Sequence, residues 1–275
     1  MSAPLSPALT GTRIEAEYRA AALALRRVDP SAPAFERGAY DPRSVTRARA
    51  LWSDRMIDEY TSTTVFAQLA AQLVEAGATL DTTAVALRMG HDEAVHAEVC
   101  GRVVEAMGGV AWRDRRPVTL IARHAGCSPE ERALRNVIFT TCLSEMNSVA
   151  YFVAALDVME DPFLRGVTRQ LLSDEVLHGS FGFAYLEAWA PYLDAHPEVR
   201  DSIARYLGYA FAVLEATFTR GNEALELSAD DLRLGVVHPA LASEGFRRTM
   251  AEAAVPGLER FGIAAEAAWK RRSLG

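Results

Sequence analysis

Two short motifs of the same form carry the residues that could do chemistry. They are EAVH at 93–96 and EVLH at 175–178, and an aspartate, Asp92 or Asp174, directly precedes each. Because positions i and i+3 share a helix face, each motif aims a carboxylate and an imidazole in the same direction. Such pairs recur as ligands of di-iron and di-manganese sites in helical bundles. The two motifs therefore predict a metal centre.

A single glutamate precedes each motif at a similar distance. Glu59 lies 34 positions before the first motif, Glu145 lies 30 positions before the second, and both fall in apolar helical seams. This loose internal repeat supplies four carboxylates and two histidines, the set that binds two metal ions in helical bundles. We predict the ligands to be Glu59, Glu93, His96, Glu145, Glu175 and His178. We also predict that Asp92 and Asp174 accept hydrogen bonds from the ligand imidazoles, which fixes their tautomer and orientation.

Four long helices must position these residues. Apolar side chains recur at intervals of three and four, and prolines and glycines stand at the ends of the periodic stretches. Asp81 and Ser128 are expected to cap two of the helices, and Pro191 is expected to break the last one. The predicted limits are 44–77, 81–108, 128–156 and 161–191. Other helical patterns cover 14–27, 197–220, 229–234 and 239–272, and no alternating strand pattern competes, so the chain is predicted to be all-α.

The helix lengths predict how the chain is organised. A helix rises about 1.5 Å per residue, so each of the two successive hairpins can bring its glutamate and its motif to one level. The connection 108–127 is long enough to cross the length of a bundle. We expect a single domain with three parts, namely an N-terminal lead-in with a short helix over 1–43, a four-helix bundle with the metal site over 44–190, and C-terminal helices packed on it over 191–275.

Composition excludes several classes of protein. The chain has 275 residues, of which 50% are hydrophobic and 24% are charged, and its net charge is −7. These values are typical of a soluble globular protein and argue against a nucleic-acid partner. Three scattered cysteines without a CxxC argue against a zinc ribbon or a disulfide framework. We expect neither a secretory signal nor a membrane span, and a cytoplasmic location.

The motifs resemble those of the ferritin-like di-iron carboxylate superfamily. The resemblance rests on DEAVH at 92–96, DEVLH at 174–178, Glu59 and Glu145, and it covers residues 44–190. It implies a ferritin-like four-helix bundle with additional C-terminal helices, two iron ions or a Mn/Fe pair, bridging carboxylates at Glu93 and Glu175, and activation of dioxygen. The cysteines of rubrerythrins are absent, and Leu171 stands where arylamine N-oxygenases carry an extra histidine. The resemblance therefore selects no subfamily and no substrate.

Three hypotheses of function follow. The first is an oxygen-activating di-iron oxygenase or oxidase that acts on a small organic substrate. It would take electrons from an external donor, because no GxGxxG follows a predicted strand. The second is a non-enzymatic iron-storage or iron-handling protein, and the third is a metal-free helical interaction module. The long C-terminal part suits a covered cavity better than a storage shell, so we expect a monomer or small homo-oligomer.

Other side chains near the predicted ligands could take part in catalysis or could fill the core. Residues within a turn of Glu145 are candidates for lining a substrate pocket, namely Thr141, Cys142, Ser148 and Val149. Tyr60 and Tyr185 are candidates for an electron relay, although core packing is the commoner role of buried tyrosines. Core packing is also expected for Cys100 and Cys142. Residues His91, Glu98 and Glu187 are expected at the surface.

Overall fold

The chain is all-α, as predicted. The computed structural model describes residues 34–112, 121–221 and 224–273, and every regular element within these ranges is helical. A short 3-10 helix, Arg37–Ala39, precedes the first long helix. The helix predicted over 14–27 lies outside the described residues.

The first two long helices form a hairpin. Helix α1 is Pro42–Glu75 and helix α2 is Leu80–Ala106, and they pack along much of their length. The Asp41 side chain caps α1 by accepting from the Arg43 N–H, and Gly77 ends the hairpin turn with φ +78°. The prediction that Asp81 is the N-cap of α2 was wrong. Thr79 holds that position, and the Asp81 carboxylate accepts instead from the Thr82 N–H inside the first turn.

The second hairpin contains an element that the sequence pattern did not predict. Helix α3 begins at Pro129, where the Ser128 hydroxyl caps it by accepting from the Glu131 N–H, and it ends at Val158. Its middle third, Ile138–Glu145, is π-helical. Wider π-helical turns insert an extra residue into an otherwise regular helix and often occur at functional sites.

Helix α4, Pro162–Ala195, completes the second hairpin. The Asp161 side chain caps it by accepting from the Leu164 N–H. The prediction that Pro191 breaks this helix was wrong, because the helix continues for another turn. A proline removes one hydrogen bond to the carbonyl four residues earlier. That carbonyl belongs to Glu187, and since Glu187 and Pro191 are both exposed, water can hydrate it.

Further helices follow the second hairpin; α5 and α7 pack against it, and the short helix α6 packs against α1. Helix α5 contacts the first part of α3, and α7 contacts the last part of α3. The single pattern predicted over 239–272 is divided, since a π-helical turn, Met250–Ala254, and a loop at Gly262 interrupt it. Rings from three helices, Phe211, Phe246 and Trp269, join this layer together. The bounds are α5 Pro197–Phe218, α6 Ala229–Arg233, α7 Pro239–Thr249, α8 Val255–Glu259 and α9 Ala265–Lys270.

One helical stretch meets the length and composition of a membrane span. Pro129–Val158 contains an 18-residue window with a mean hydropathy of 1.3, and half of that window is buried inside the protein. A core helix of a soluble protein meets the same test. The apolar residues of this stretch include the fully buried Leu134, Ile138 and Leu143, which belong to the core.

The interior is divided into two apolar clusters by a polar layer. One cluster contains Phe66, Met89, Leu143 and Phe181, and the other contains Met56, Cys100, Phe152 and Leu171. Along each of the four long helices, the chain passes from one cluster to the other through one or two buried ionisable residues. The layer consists of Glu59 on α1, Glu93 and His96 on α2, Glu145 on α3, and Glu175 and His178 on α4.

Candidate metal centre

All six predicted ligands lie in this polar layer and are buried. The side chains of His96 and His178 are fully inaccessible, Glu93 and Glu175 are 1% exposed, and the other two glutamates are at most 8% exposed. Charged side chains are almost never buried to this extent unless they are paired or bind a metal. Each carboxylate therefore needs a compensating partner inside the protein.

The six residues form two overlapping groups of four. The first group is Glu59, Glu93, His96 and Glu175, and the second is Glu93, Glu145, Glu175 and His178. In each group, one ligand atom per residue lies within 4.8 Å of the others. Glu93 and Glu175 belong to both groups. The structure thus contains two adjacent sets of potential metal ligands that share two carboxylates.

The imidazoles present the same nitrogen to this cluster. His96 Nδ1 lies 3.3 Å from Glu175 Oε1 and 3.5 Å from Glu59 Oε2. His178 Nδ1 lies 2.9 Å from Glu93 Oε1 and 3.8 Å from Glu175 Oε2. The two rings are 5.9 Å apart, centroid to centroid. Each histidine therefore contributes its Nδ1 to one of the two groups.

The outer nitrogens of both rings face an aspartate from the opposite motif. The Nε2 of His96 on α2 is 3.2 Å from Asp174 Oδ2 on α4, within hydrogen-bonding distance. The Nε2 of His178 on α4 is 3.5 Å from Asp92 Oδ2 on α2, a looser ion-pair contact. A histidine that binds metal through one nitrogen usually donates its other N–H to such a carboxylate. The arrangement leaves Nδ1 free to act as a ligand.

Several buried atoms at the centre lack hydrogen-bond partners. Within the described part of the chain they are His96 Nδ1, His178 Nδ1, Glu93 Oε1 and Glu175 Oε2 in the cluster, and His178 Nε2 and Asp92 Oδ2 at its edge. His178 Nδ1 and Glu93 Oε1 are 2.9 Å apart and still form no aligned hydrogen bond, so they are not directed at each other. Unpaired buried polar atoms are costly and rare. Their convergence fits atoms that would bind a common cation.

The electrostatics of the cluster indicate a site that lacks positive charge. Burial, followed by repulsion from Glu175 and a second neighbouring glutamate, raises the pKa of both Glu93 and Glu145 well above the usual value. Burial opposes protonation of His96, but the hydrogen bond to Asp174 and the close contacts with Glu175 and Glu59 outweigh it and raise the pKa of His96 well above 6.5. Protons therefore occupy part of the site when no cation neutralises the carboxylates.

The donor set fits iron or manganese. Four carboxylates and two imidazoles are the ligands of di-iron and di-manganese proteins, and no thiolate lies in either group. Among the described residues, histidines are the only cationic partners within 4 Å of these four glutamates, and no arginine or lysine pairs with them. Metal ions of total charge +4 would balance the four carboxylates.

The π-helical segment of α3 brings that helix close to α4. A Cβ atom added at Gly182 would overlap the side chains of Thr141 and Cys142, and one added at Gly179 would lie 3.5 Å from Met146. Two of the pocket candidates, Thr141 and Cys142, are thus buried against α4, whereas Ser148 and Val149 are half-buried. The absence of a side chain at Gly182 allows α3 to lie this close to α4, whereas the contact at Gly179 would be an ordinary van der Waals contact.

The remaining candidates divide into buried and exposed residues. Tyr185 is 3% exposed, and Tyr60 is half-buried beside Glu59. Cys100 is fully buried in the apolar cluster, and His91 and Glu187 are exposed, as expected. The expectation that Glu98 lies at the surface was wrong. It is 3% exposed and forms an ion pair with Arg102 one turn later, which supplies the charge that its burial requires.

Sequence reasoning missed an arginine near the centre. Arg55 lies one turn before Glu59 on α1, and its guanidinium is 4.2 Å from the ring centroid of Phe152 and 5.0 Å from that of Tyr151. These cation–π contacts connect α1 to α3 and therefore one hairpin to the other. The available signal was the spacing of four from Glu59, but nothing in the sequence indicated that the partner rings lie on α3.

Comparison of the chain with protein-family models, with curated proteins and with solved structures found no match. The geometry of the buried cluster is therefore the basis of the functional argument.

Proposed function

We propose that this protein is an oxygen-activating di-iron carboxylate oxygenase or oxidase that acts on a small organic substrate. The observation that carries the proposal is the pair of four-residue groups that share Glu93 and Glu175. Shared carboxylates would bridge two ions, while Glu59 and His96 would complete one site and Glu145 and His178 the other. On this proposal the four long helices form a ferritin-like four-helix bundle, with a Mn/Fe pair as the alternative occupant.

The residues of the chain would bind and orient the ions and limit the access of water. Glu59 and Glu145 each belong to a single group, so each would hold one ion, whereas Glu93 and Glu175 would hold both. Asp174 and Asp92 would hold the imidazoles in one orientation through Nε2. Bound iron would supply the exchange of electrons with dioxygen that no side chain of the cluster offers. The apolar clusters on both sides of the layer keep the site dry.

A metal-free interaction module fits the cluster poorly. Among the described residues no arginine or lysine pairs with the four buried carboxylates, so they would repel one another, and uncompensated buried charge typically costs several kcal/mol. Natural sequences retain such a cluster where it serves a function. The burial of these carboxylates without a cationic side chain therefore supports metal binding over a structural role.

Enzyme and storage functions differ in what the outer helices must do. A storage protein assembles a closed shell through the outer faces of its bundle. Here α5 and α7 cover part of α3. That cover supports a monomer or small homo-oligomer with a retained metal pair. The partners of the proposed enzyme are dioxygen, the organic substrate and an external electron donor. Its proposed setting is the cytoplasm, without nucleic-acid or membrane partners.

The decisive experiment combines metal analysis with oxygen consumption. Protein loaded anaerobically with Fe(II) and desalted should contain about two irons per chain and should oxidise them when dioxygen is added. Light scattering should show a monomer or small oligomer, and the iron should remain bound after oxidation. A large hollow assembly that takes up many irons per subunit would instead establish storage. Failure to retain any metal would refute both the enzyme and the storage hypothesis.

A further inference from the structure

A row of aromatic side chains runs along α4, away from the metal centre. Its members recur at intervals of three and four residues and so share one helix face. They are Phe181, Tyr185, Trp189, Tyr192 and His196. Successive ring centroids are 6.1, 5.6, 5.2 and 4.2 Å apart, so each ring contacts the next. The row begins one turn after His178 and ends at the helix C-cap, about 27 Å farther along the helix from that ligand.

The two rings nearest the metal centre are less exposed than the other three. Phe181 and Tyr185 are buried, whereas Trp189, Tyr192 and His196 are half-buried. The row therefore connects the interior beside the metal centre with the surface at one end of the long helices. Phenol and indole are the side-chain groups that lose a single electron most readily, and three of the five rings belong to these types.

The two tyrosines differ in their ability to release a proton. The Tyr185 hydroxyl is buried and has no hydrogen-bond partner among the residues that the structure describes, and burial raises the pKa of Tyr185 well above its usual value. Tyr192 is partly accessible to water and stacks on His196. The His196 Nδ1 donates to the Tyr192 carbonyl oxygen at 2.8 Å, which holds the two rings together, and the exposed part of Tyr192 lets its phenol release a proton to water.

We propose that Tyr185, Trp189 and Tyr192 carry oxidising equivalents from the metal centre to the surface when dioxygen reacts in the absence of substrate. This inference rests on the proposed function, with dioxygen as the oxidant. One electron passes from Trp189 by way of Tyr185 to the oxidised centre. The centre gains this electron, and Trp189 is left oxidised. Tyr192 then gives one electron to Trp189 and its phenolic proton to water, which leaves a neutral tyrosyl radical. An external one-electron donor restores Tyr192.

The proton argument determines where the radical rests. Oxidised tyrosine is strongly acidic, and Tyr185 has no base to receive its proton. Tyr185 therefore passes the electron without retaining the radical, and Tyr192 retains it. Tyr60, the other relay candidate, lies on α1 and takes part in no ring contact among the described residues.

The test is electron paramagnetic resonance of freeze-quenched samples. Fe(II)-loaded protein is mixed with dioxygen without substrate, using protein that contains ordinary or ring-deuterated tyrosine. We expect a tyrosyl radical whose hyperfine pattern changes on deuteration. It should be lost in Tyr192→Phe, lost or replaced by a signal nearer the iron in Trp189→Phe, and kept in the control Trp269→Phe. Retention of the signal in both row variants, its loss in Tyr60→Phe alone, or iron oxidation without any radical would overturn the proposal.

A second measurement works without metal. One-electron oxidation of the metal-free protein by pulse radiolysis first produces tryptophan radicals, and transfer from tyrosine to tryptophan is followed by absorbance. The fast phase of this transfer should be lost in Tyr192→Phe and in Trp189→Phe but not in Trp269→Phe, and an unchanged fast phase in the row variants would overturn the proposal. If dioxygen fails to oxidise bound Fe(II), the proposed function fails and the row loses its source of oxidising equivalents. A normal fast phase in that case would show that the row itself still conducts.

Discussion

His96 on α2 and Asp174 on α4 are joined by a contact of 3.2 Å between Nε2 and Oδ2. The two residues come from different repeats of the same motif, and the reciprocal pair, His178 and Asp92, makes a looser contact of 3.5 Å. Each histidine thus faces the aspartate that precedes the glutamate of the other motif, and of the two pairs it is His96–Asp174 that forms a hydrogen bond. These two crossed contacts connect α2 of the first hairpin to α4 of the second at the level of the candidate metal centre.

Replacement of Asp174 by asparagine should weaken metal binding without unfolding the protein. The amide lacks the negative charge that favours an N–H at Nε2 of His96, so Nδ1 becomes a poorer ligand. Loss of such a partner typically costs about 10–100-fold in metal affinity or activity. Competition with a chelator measures the affinity, and circular dichroism checks the fold. Asp194→Asn on the same helix, at a side chain that is 75% exposed, is the control. Equal affinity in both variants would show that Asp174 does not orient the ligand.

Shared and unshared glutamates should differ in how many ions their removal releases. Glu93→Ala removes a carboxylate that belongs to both groups, so both metals should be lost. Glu59→Ala removes a member of the first group alone, and Glu145→Ala a member of the second, so each should retain about one metal per chain. Metal analysis after desalting provides the count. A single metal in Glu93→Ala, or none in the other two variants, would contradict the assignment of shared ligands.

Much of the centre could be predicted because its signals are local. The i, i+3 spacing of Glu93 and His96 fixes a common helix face whatever the tertiary structure, and the apolar seam fixes which face is buried. The crossed pairs with Asp92 and Asp174 follow from the same spacing once the two helices are adjacent. These features need no knowledge of how the hairpins are joined.

The features that the sequence did not reveal depend on tertiary packing. The π-helical turns before Glu145 form where α3 packs against Gly182, and no residue type marks such a turn. The continuation of α4 past Pro191 depends on whether a carbonyl faces water, and the burial of Glu98 depends on its pairing with Arg102. Helical periodicity reports which residues share a face, but it does not report what the neighbouring element places against them.

Raising the pH should destabilise the metal-free protein. The folded-state pKa of His96 is raised well above 6.5, so its stabilising contribution is complete below about pH 6.5 and is lost as the pH rises through the folded value. The pKa values of Glu93 and Glu145 are also raised in the folded protein, so deprotonation of these glutamates at higher pH likewise lowers its stability. Burial opposes ionisation of Glu175, but its contacts with His96 and Glu145 outweigh burial and lower the pKa of Glu175 to about 2, so its contribution is lost only in acid, below about pH 4.5.

Urea unfolding at several pH values, with and without metal, measures this effect. Metal binds the deprotonated ligands, so its stabilisation of the fold should increase between about pH 6 and pH 8. Alanine at both His96 and His178 should flatten the pH dependence of the metal-free protein in this range. A metal-free protein that becomes more stable as the pH rises from 6 to 8 would contradict the raised pKa values.

Two glycines of α4 should respond in opposite ways to substitution by alanine. At Gly182 the new Cβ would overlap the side chains of Thr141 and Cys142, so α3 and α4 must move apart, and such overpacking typically costs about 1–3 kcal/mol. At Gly166 nothing lies within 4 Å of the added atom, and alanine in a helix is favoured over glycine by about 0.5–1 kcal/mol. Urea unfolding of the metal-free variants should therefore show a loss of stability for Gly182→Ala and a gain for Gly166→Ala. Because separation of the two helices also moves Glu145 away from Glu175, Gly182→Ala should release metal more readily to a chelator, whereas Gly166→Ala should bind it as the unmodified protein does. Unchanged stability and affinity in Gly182→Ala would mean that the close approach of α3 to α4 does not position Glu145.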